Sequence, residues 1–487
     1  MKISLEGNIN RTYIQGLCMA FFHGISFPKN EEDSQDGLEL FVSAKCENDK
    51  IISSAILQFN ETKTSHYVEY TPIGETSLER ALKTATGQAV YFACNKLTGI
   101  ELEWGILTGI RPSKVCAELL CEYSQEKAYE ILTKSYLLKS EKAQLVLEVT
   151  KNEMAIMSLT DDEKCSIYIS IPFCPSRCTY CSFISYAGKK LFDLIPSYVD
   201  KIVDDIEHTA SLIKELKLKV SCIYIGGGTP TILNEIQLER ILGKIKECID
   251  VESLDEFTLE GGRPDTITTQ KLEIAKKYGV TRISVNPQTL NDSVLEKIGR
   301  KHTVNDFLEA FDKVKASRIS SINTDLIAGL EGDGLDSFMA TVDRIVELGP
   351  DNITIHTFCV KKSAQILRDD AQVYERDAED ASLSVKYAYE KLIASGYAPY
   401  YMYRQKNTIG NLENVGYARI GYFGLYNVFM MSDAHTVFGI GAGATTKLVK
   451  NDGKTEILRI FSPKYPYEYL RDIQKTDDKI REFFDRR

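Results

Sequence analysis

The sequence predicts an α/β protein: a partial (β/α)6 barrel over residues 165–368, set between an N-terminal α+β domain (1–164) and a C-terminal α+β domain (369–487). Three observations predict it. Six short β-branched runs alternate with amphipathic helical patterns through the middle of the chain, as in a parallel sheet with crossover helices. The residues able to carry chemistry fall where those runs end. On either side the alternation stops, and a length of 487 residues accommodates about three domains.

In residues 1–164, Leu38–Ala44 and Ala55–Phe59 read as strands, while Ser77–Leu97, Gln125–Tyr136 and Glu141–Glu153 carry helical periodicity. The segment Leu107-Thr108-Gly109-Ile110-Arg111-Pro112-Ser113-Lys114 reads as a turn opening a helix, because proline suits the first helical position. A structural role fits it better than a functional one. The acidic string Glu31-Glu32-Asp33 reads as a solvated loop.

In the middle region the expected strands are Ser166–Ile171, Ser221–Ile225, Glu256–Glu260, Arg282–Asn286, Ser321–Ile327 and Asn352–His356. Between them lie helical stretches such as Pro196–Leu216, Gln237–Cys248, Thr269–Tyr278, Asn305–Lys315 and Leu335–Leu348. Barrel chemistry gathers where strands end and loops begin. There stand three cysteines after the first strand, glycines after the second and Glu260 on the third. Asn286 and Gln288 follow at the fourth, Asp325 lies on the fifth, and His356 and Cys359 are at the sixth. The last region opens on a helical pattern, Asp377–Ser395. A tyrosine-rich segment, Tyr397–Arg404, and a glycine-rich one, Phe438–Thr445, follow.

Asp and Glu exceed Lys and Arg by 69 to 59, a net charge of −10, which speaks against a nucleic-acid partner. No run of 18 apolar residues argues for a membrane span, and the first residues lack the basic-then-apolar pattern of a signal peptide. A cytoplasmic protein is expected. Most of the twelve cysteines are then buried small hydrophobes rather than disulfide partners.

The exception is Cys174-Pro175-Ser176-Arg177-Cys178-Thr179-Tyr180-Cys181, with the spacing C-x3-C-x2-C. Three thiolates on one loop suit three irons of a cubane [4Fe–4S] cluster and leave the fourth iron open. Zinc would want a fourth Cys or His in a second close pair. A thioredoxin-like pair, Cys178 and Cys181, would leave Cys174 without purpose. The glycines Gly226-Gly227-Gly228, followed by Thr229, allow close backbone approach to a ligand, although alone they would suggest only a tight turn.

The spacing after the first strand of a β/α series resembles the radical S-adenosylmethionine (SAM) superfamily. In that family the open iron chelates SAM, and reductive cleavage yields a radical that abstracts hydrogen from an unactivated carbon. The order IPFCPSRCTYC, GGGTPT, TLEGGRPDTIT, NPQTLND, IGRKHT and NTDLIAGL is similar to the oxygen-independent coproporphyrinogen III dehydrogenase (oxidase) family, HemZ type. The resemblance implies a [4Fe–4S] cluster on Cys174, Cys178 and Cys181, and two SAM molecules. Tyr168, Gly227 and Glu260 would meet the cluster-bound SAM, with Thr445 a further contact. Tyr180, Gly228, Thr229, Gln288, Arg300, Asp325 and Cys359 would meet the second. Without such roles, Tyr168 would be a barrel-interior tyrosine, Glu260 and Asp325 ion-paired carboxylates, and Thr445 part of a glycine-rich turn.

The implied reaction is oxidative decarboxylation of two propionates of coproporphyrinogen III, giving protoporphyrinogen IX in heme (porphyrin) biosynthesis. It implies a tetrapyrrole substrate and an electron donor such as flavodoxin or ferredoxin. An anionic tetrapyrrole calls for local positive charge, for which Arg263, Lys301 and Arg404 are the candidates. The third-region tyrosines would wall the pyrrole rings or else form a core edge, and His302 and His356 would contact substrate or be structural. Phe183 departs from the pattern: proven decarboxylases carry a cysteine there, whereas the heme-chaperone branch carries phenylalanine. Heme binding without turnover, or radical chemistry on another tetrapyrrole, are therefore the alternatives.

Overall fold

The structure is a computed structural model. It describes all residues except 23, 28–36, 75–76, 182–185, 360–377, 406–407, 453, 473–475 and 486–487. The acidic string 31–33 and Phe183 lie outside the described residues. Two compact units emerge: one holds Met1–Lys151 with Met402–Glu413, and the other holds most of the remaining chain.

In the first unit, strands β1 (Lys2–Glu6), β2 (Leu38–Glu47), β3 (Lys50–Phe59) and β4 (Thr62–Tyr70) form one sheet in that order. β1 runs parallel to β2 and the rest are antiparallel. Alternate residues Leu38, Leu40 and Val42 of β2, and Ile51, Ala55 and Leu57 of β3, are buried. That period of two is what a sheet with one covered face requires. The helix Leu78–Thr98 starts at Ser77, whose side chain accepts from the Arg80 amide, and stops at left-handed Gly99. A helix does open at Pro112 and runs to Glu122. β4 escaped the sequence reading because Thr62–Tyr70 is mostly polar and half exposed.

The second unit is built on strands β5 (Lys164–Ile171), β6 (Lys219–Gly227), β7 (Glu256–Gly262), β8 (Arg282–Val285), β9 (Ser321–Ala328) and β10 (Asn352–Thr357). Each pairs in parallel with the next, in chain order, giving the partial (β/α)6 barrel. Along these strands two kinds of residue alternate. One set is apolar: Ile167, Ile169 and Ile171; Ile223 and Ile225; Phe257 and Leu259; Ile283 and Val285; Ile353 and Ile355, all buried. Burying such side chains contributes roughly 1.5–3 kcal/mol each. The other set is polar or aromatic and makes mutual contacts: Tyr168, Tyr224, Glu256, Glu260, Arg282, Asn286, Asp325 and His356. The helices between strands are closed by side chains, with capping boxes at Asn234/Gln237 and Thr303/Asp306, each worth about 1 kcal/mol.

The later strands are β11 (Ala398–Arg404), β12 (Glu413–Ala418), β13 (Thr436–Ile440), β14 (Thr445–Asp452) and β15 (Lys454–Phe461). They extend the barrel sheet at both edges: β12 runs antiparallel to β10, and β13 parallel to β5. The expected division at 369 is therefore not a break in the sheet. Two open strand edges need partners for their backbone groups, and the C-terminal strands supply them.

Candidate metal and cofactor site

The cysteine loop leaves β5 through Pro172 and Phe173 and is closed at its base. The Cys174 amide donates to the Tyr186 carbonyl at 3.1 Å, and the Tyr186 amide donates to the Pro172 carbonyl at 2.8 Å. Within it the Cys181 amide donates to the Cys178 carbonyl at 3.1 Å, so these two cysteines share one turn. A second segment holds the far side of the loop. The Thr179 amide donates to the Ile298 carbonyl at 3.0 Å, and the Ser176 hydroxyl to the Gly299 carbonyl at 3.3 Å.

The glycines after β6 press against the same loop. The Gly228 amide donates to the Ile171 carbonyl and the Thr229 amide to the Phe173 carbonyl, both at 2.8 Å. The Thr229 hydroxyl reaches Cys174 Sγ at 3.4 Å. A Cβ on Gly228 would lie 2.6 Å from the Phe173 carbonyl oxygen and 3.0 Å from Cys174 Sγ. Gly227 has φ +109°, a conformation that favours glycine. The glycine run is thus required by close approach to the cysteine loop.

Beside it, the barrel interior carries a stack of three tyrosines. Tyr168 and Tyr224 are register partners with ring centroids 6.2 Å apart, and Tyr426 lies 4.7 Å from Tyr224 and 6.2 Å from Tyr168. Sequence reasoning found only Tyr168; Tyr224 was discoverable from its matching place on the next strand, Tyr426 was not. Glu260 Oε2 sits so close to Gly226 that a Cβ there would lie 2.6 Å away. Burial, reinforced by the charge of Asp325, pushes the Glu260 carboxyl up to about 8, against a smaller lowering by the Gly227 amide. Glu260 is therefore held mostly protonated at neutral pH.

Asp325 behaves oppositely. Burial acts to raise it, but the nearby His356, with Asn323 and Thr354, holds it below the usual range. Its oxygens accept from Asn286 at 2.8 Å and Asn323 at 2.9 Å, and His356 Nε2 lies 3.8 Å away. Gln288 is buried with φ +74°, pinned by its amide to the Asp325 carbonyl at 3.1 Å and by its carbonyl to the Ile327 amide at 2.9 Å. A non-glycine residue so placed stores strain that the surroundings must impose.

Arg300 donates to the Asn286 carbonyl at 2.6 Å and to the Tyr180 hydroxyl at 3.2 Å, while its buried Nε has no partner among the described residues. His302 is buried with both ring nitrogens unpartnered among the described residues, and burial next to Arg300 and Arg263 lowers it to about 3. Such orphaned polar atoms are costly unless something satisfies them.

Two of the three basic substrate candidates are otherwise engaged. Arg263 is buried, grips Asp265 at 3.0 and 3.3 Å, and donates to Ser176 at 3.0 Å, behind the cysteine loop. Arg404 is buried in the first unit, where it donates to the Leu107 and Asn411 carbonyls and lies 5.2 Å over Trp104. Both direct donors at protein groups rather than open surface, with Arg404 Nε left without a partner among the described residues. Lys301 is exposed. Of the two readings of the tyrosine-rich segment, the core edge describes Tyr397, Tyr400 and Tyr401, which are buried, with Tyr400 stacked on Phe423 at 5.1 Å. Cys359 is half-buried just beyond β10, and Thr445 opens β14 against Gly439, the register partner of Tyr168.

The donor set fits a cubane cluster with SAM. It offers three thiols on one closed loop, a half-exposed Cys174 and Cys181, and buried cations behind them. Among the described residues no three His, Cys, Asp or Glu side chains converge on a single-ion site. A cubane asks only one thiolate per iron. Among the same residues no helix is long and apolar enough to cross a membrane.

A profile of the Radical SAM superfamily matches residues 168–345. The chain is 33% identical over 494 aligned positions to the oxygen-independent coproporphyrinogen-III oxidase-like protein HemZ of Bacillus subtilis (strain 168), covering 99% of this chain and 97% of that one. It is 29% identical over 284 positions to the heme chaperone HemW of Lactococcus lactis, covering 58% of this chain and 69% of that one. The solved structure of coproporphyrinogen III oxidase (HemN) from Escherichia coli shares the fold, with a TM-score of 0.51 at 21% identity over 67% of this chain and 72% of that chain.

Proposed function

The chain belongs to the oxygen-independent coproporphyrinogen-III oxidase-like family of radical SAM proteins, and on that premise we propose that it oxidatively decarboxylates two propionates of coproporphyrinogen III to vinyl groups. The observation that carries the substrate is kinship along nearly the whole of both chains, beyond the barrel alone. Membership implies a [4Fe–4S] cluster and SAM, which supply, when bound, a radical able to abstract hydrogen from an unactivated carbon.

The chain's own residues would hold and shield that chemistry. Cys174, Cys178 and Cys181 are the cluster ligands, leaving one iron for SAM. Glu260, protonated, offers both a donor and an acceptor to neighbouring ribose hydroxyls, with Tyr168, Gly227 and Thr445 around them. Arg300 has an Nε without a partner among the described residues to offer a SAM carboxylate. Asp325, kept ionised by its partners, suits a cationic ammonium. Tyr180, Gly228, Thr229, Gln288 and Cys359 complete the second SAM site. With Arg263 and Arg404 engaged elsewhere, Lys301 is the basic candidate left to meet a propionate, and flavodoxin or ferredoxin would supply electrons. Residues 369–487 would cover the substrate, in a cytoplasmic protein.

The test is an anaerobic assay with SAM, a strong reductant and coproporphyrinogen III. Protoporphyrinogen IX and 5′-deoxyadenosine should form together above the substrate-free background. Kinship to proteins named heme chaperones favours a second reading, tetrapyrrole binding without turnover. Background deoxyadenosine with stoichiometric heme binding would replace the first reading by the second.

A further inference from the structure

Arg263 leaves β7 at the residue after Gly262 and turns inward, where it is 3% exposed. Its guanidinium makes two contacts to Asp265, Nε–Oδ1 at 3.0 Å and Nη2–Oδ2 at 3.3 Å, a forked arrangement that fixes the plane of the group. Nη1, on the other side, donates to the Ser176 hydroxyl at 3.0 Å and comes to 4.0 Å from Cys178 Sγ. Ser176 in turn donates to the Gly299 carbonyl. A buried cation thus stands against the most enclosed thiol of the loop, and a carboxylate stands behind the cation. Nothing in the binding roles assigned above uses this pair.

We infer that Arg263, held by Asp265, seats the Cys178 ligand and raises the reduction potential of the cluster, acting as a positioning residue rather than a contact to tetrapyrrole. The inference rests on the assignment of the cluster to Cys174, Cys178 and Cys181. Reduction adds one electron to the cluster, and a fixed positive charge near a ligating sulfur favours the more negative state. Charge and hydrogen bonding at cluster sulfurs are established controls of such potentials. Asp265 lies on the far side of the guanidinium and partly offsets it, so the two residues should act with opposite sign. A role confined to holding the loop has no such sign.

The experiment is an anaerobic redox titration of the reconstituted full-length protein, with dithionite as reductant and the reduced cluster read by electron paramagnetic resonance. Iron and sulfide are counted in every sample. Arg263→Gln should shift the midpoint to more negative values, with the reduced-to-oxidised ratio at a fixed poise falling about tenfold, which is about 59 mV for one electron. Asp265→Asn should shift it the other way. Arg263→Lys, which keeps the charge but loses the fork, should stay nearer the wild type than Arg263→Gln. If Arg263→Gln fails to assemble, Asp265→Asn and Arg263→Lys decide. Unchanged midpoints with full iron content, or shifts of the same sign in Arg263→Gln and Asp265→Asn, overturn the inference and leave the cluster assignment standing. Loss of the cluster from all three variants overturns it too, in favour of a purely structural role. Cys178→Ala is the separate control: if it keeps a full cluster, the assignment and the inference fall together.

Discussion

The hydroxyl of Thr229 donates to Cys174 Sγ across 3.4 Å, so the turn after β6 touches a thiol carried by the loop after β5. Neighbouring parallel strands end side by side, and the two segments meet because no side chain at Gly228 keeps them apart.

That contact belongs to the cluster assignment. Alanine at Cys174, Cys178 or Cys181 should abolish the broad charge-transfer absorption of the reconstituted protein and reduce its iron from about four per chain. Alanine at Cys222, fully buried within β6, should leave both unchanged. The checks are absorption spectra and iron analysis. Cluster loss with Cys359→Ala as complete as with Cys178→Ala would remove the open-iron reading.

Gly228→Ala should behave like a partial cysteine knockout. Its added methyl group meets the Phe173 carbonyl at 2.6 Å, and backbone there cannot yield cheaply. The cluster should assemble at reduced occupancy and bleach faster in air, measured as absorbance decay.

Glu260 makes stability depend on pH in a definite direction. Its folded value of about 8 lies above its ordinary 4.5, so between those values the folded chain holds a proton that the unfolded chain has released. Stability of the cofactor-free protein therefore falls as pH rises through that window, by up to about 1.4 kcal/mol per unit. Glu260→Gln, which cannot ionise, should gain on the order of 2 kcal/mol over the wild type between about pH 6 and about pH 8. Urea denaturation at the two pH values measures it, and parallel curves for both proteins would refute the protonated state.

Asp325→Ala should weaken SAM binding while sparing the cluster. Losing one charged hydrogen-bonding contact costs about 2–3 kcal/mol, up to roughly a hundredfold in affinity. Calorimetry with SAM reads this directly, and unchanged affinity would confine Asp325 to its network with Asn286, Asn323 and His356.

Arg404→Ala should lower stability by about 1–3 kcal/mol, because the Leu107 and Asn411 carbonyls lose their donor. SAM cleavage per folded molecule should not change. Lysine cannot restore the fork and should recover only part of the loss. A normal melting curve with impaired substrate binding would return Arg404 to the substrate candidates.

Local pattern alone determined much of this. Six β-branched runs with helices between them specify a parallel sheet, since such strands need crossovers and buried faces. The three cysteines share one short loop, so their spacing alone brings them to one place. Glu260 and Asp325 are legible as carboxylates interrupting apolar strands. Tertiary structure decided what depends on partners distant in the chain. Arg263 and Arg404 look alike in sequence as basic residues, but burial commits each to its own internal acceptors. Tyr426 joins Tyr168 and Tyr224 from a helix far along the chain, and no periodicity signals that arrival. The last strands looked like a third domain, yet β12 and β13 pair with β10 and β5. An open strand edge takes whichever segment can satisfy its hydrogen bonds, and that choice is made in space, not along the chain.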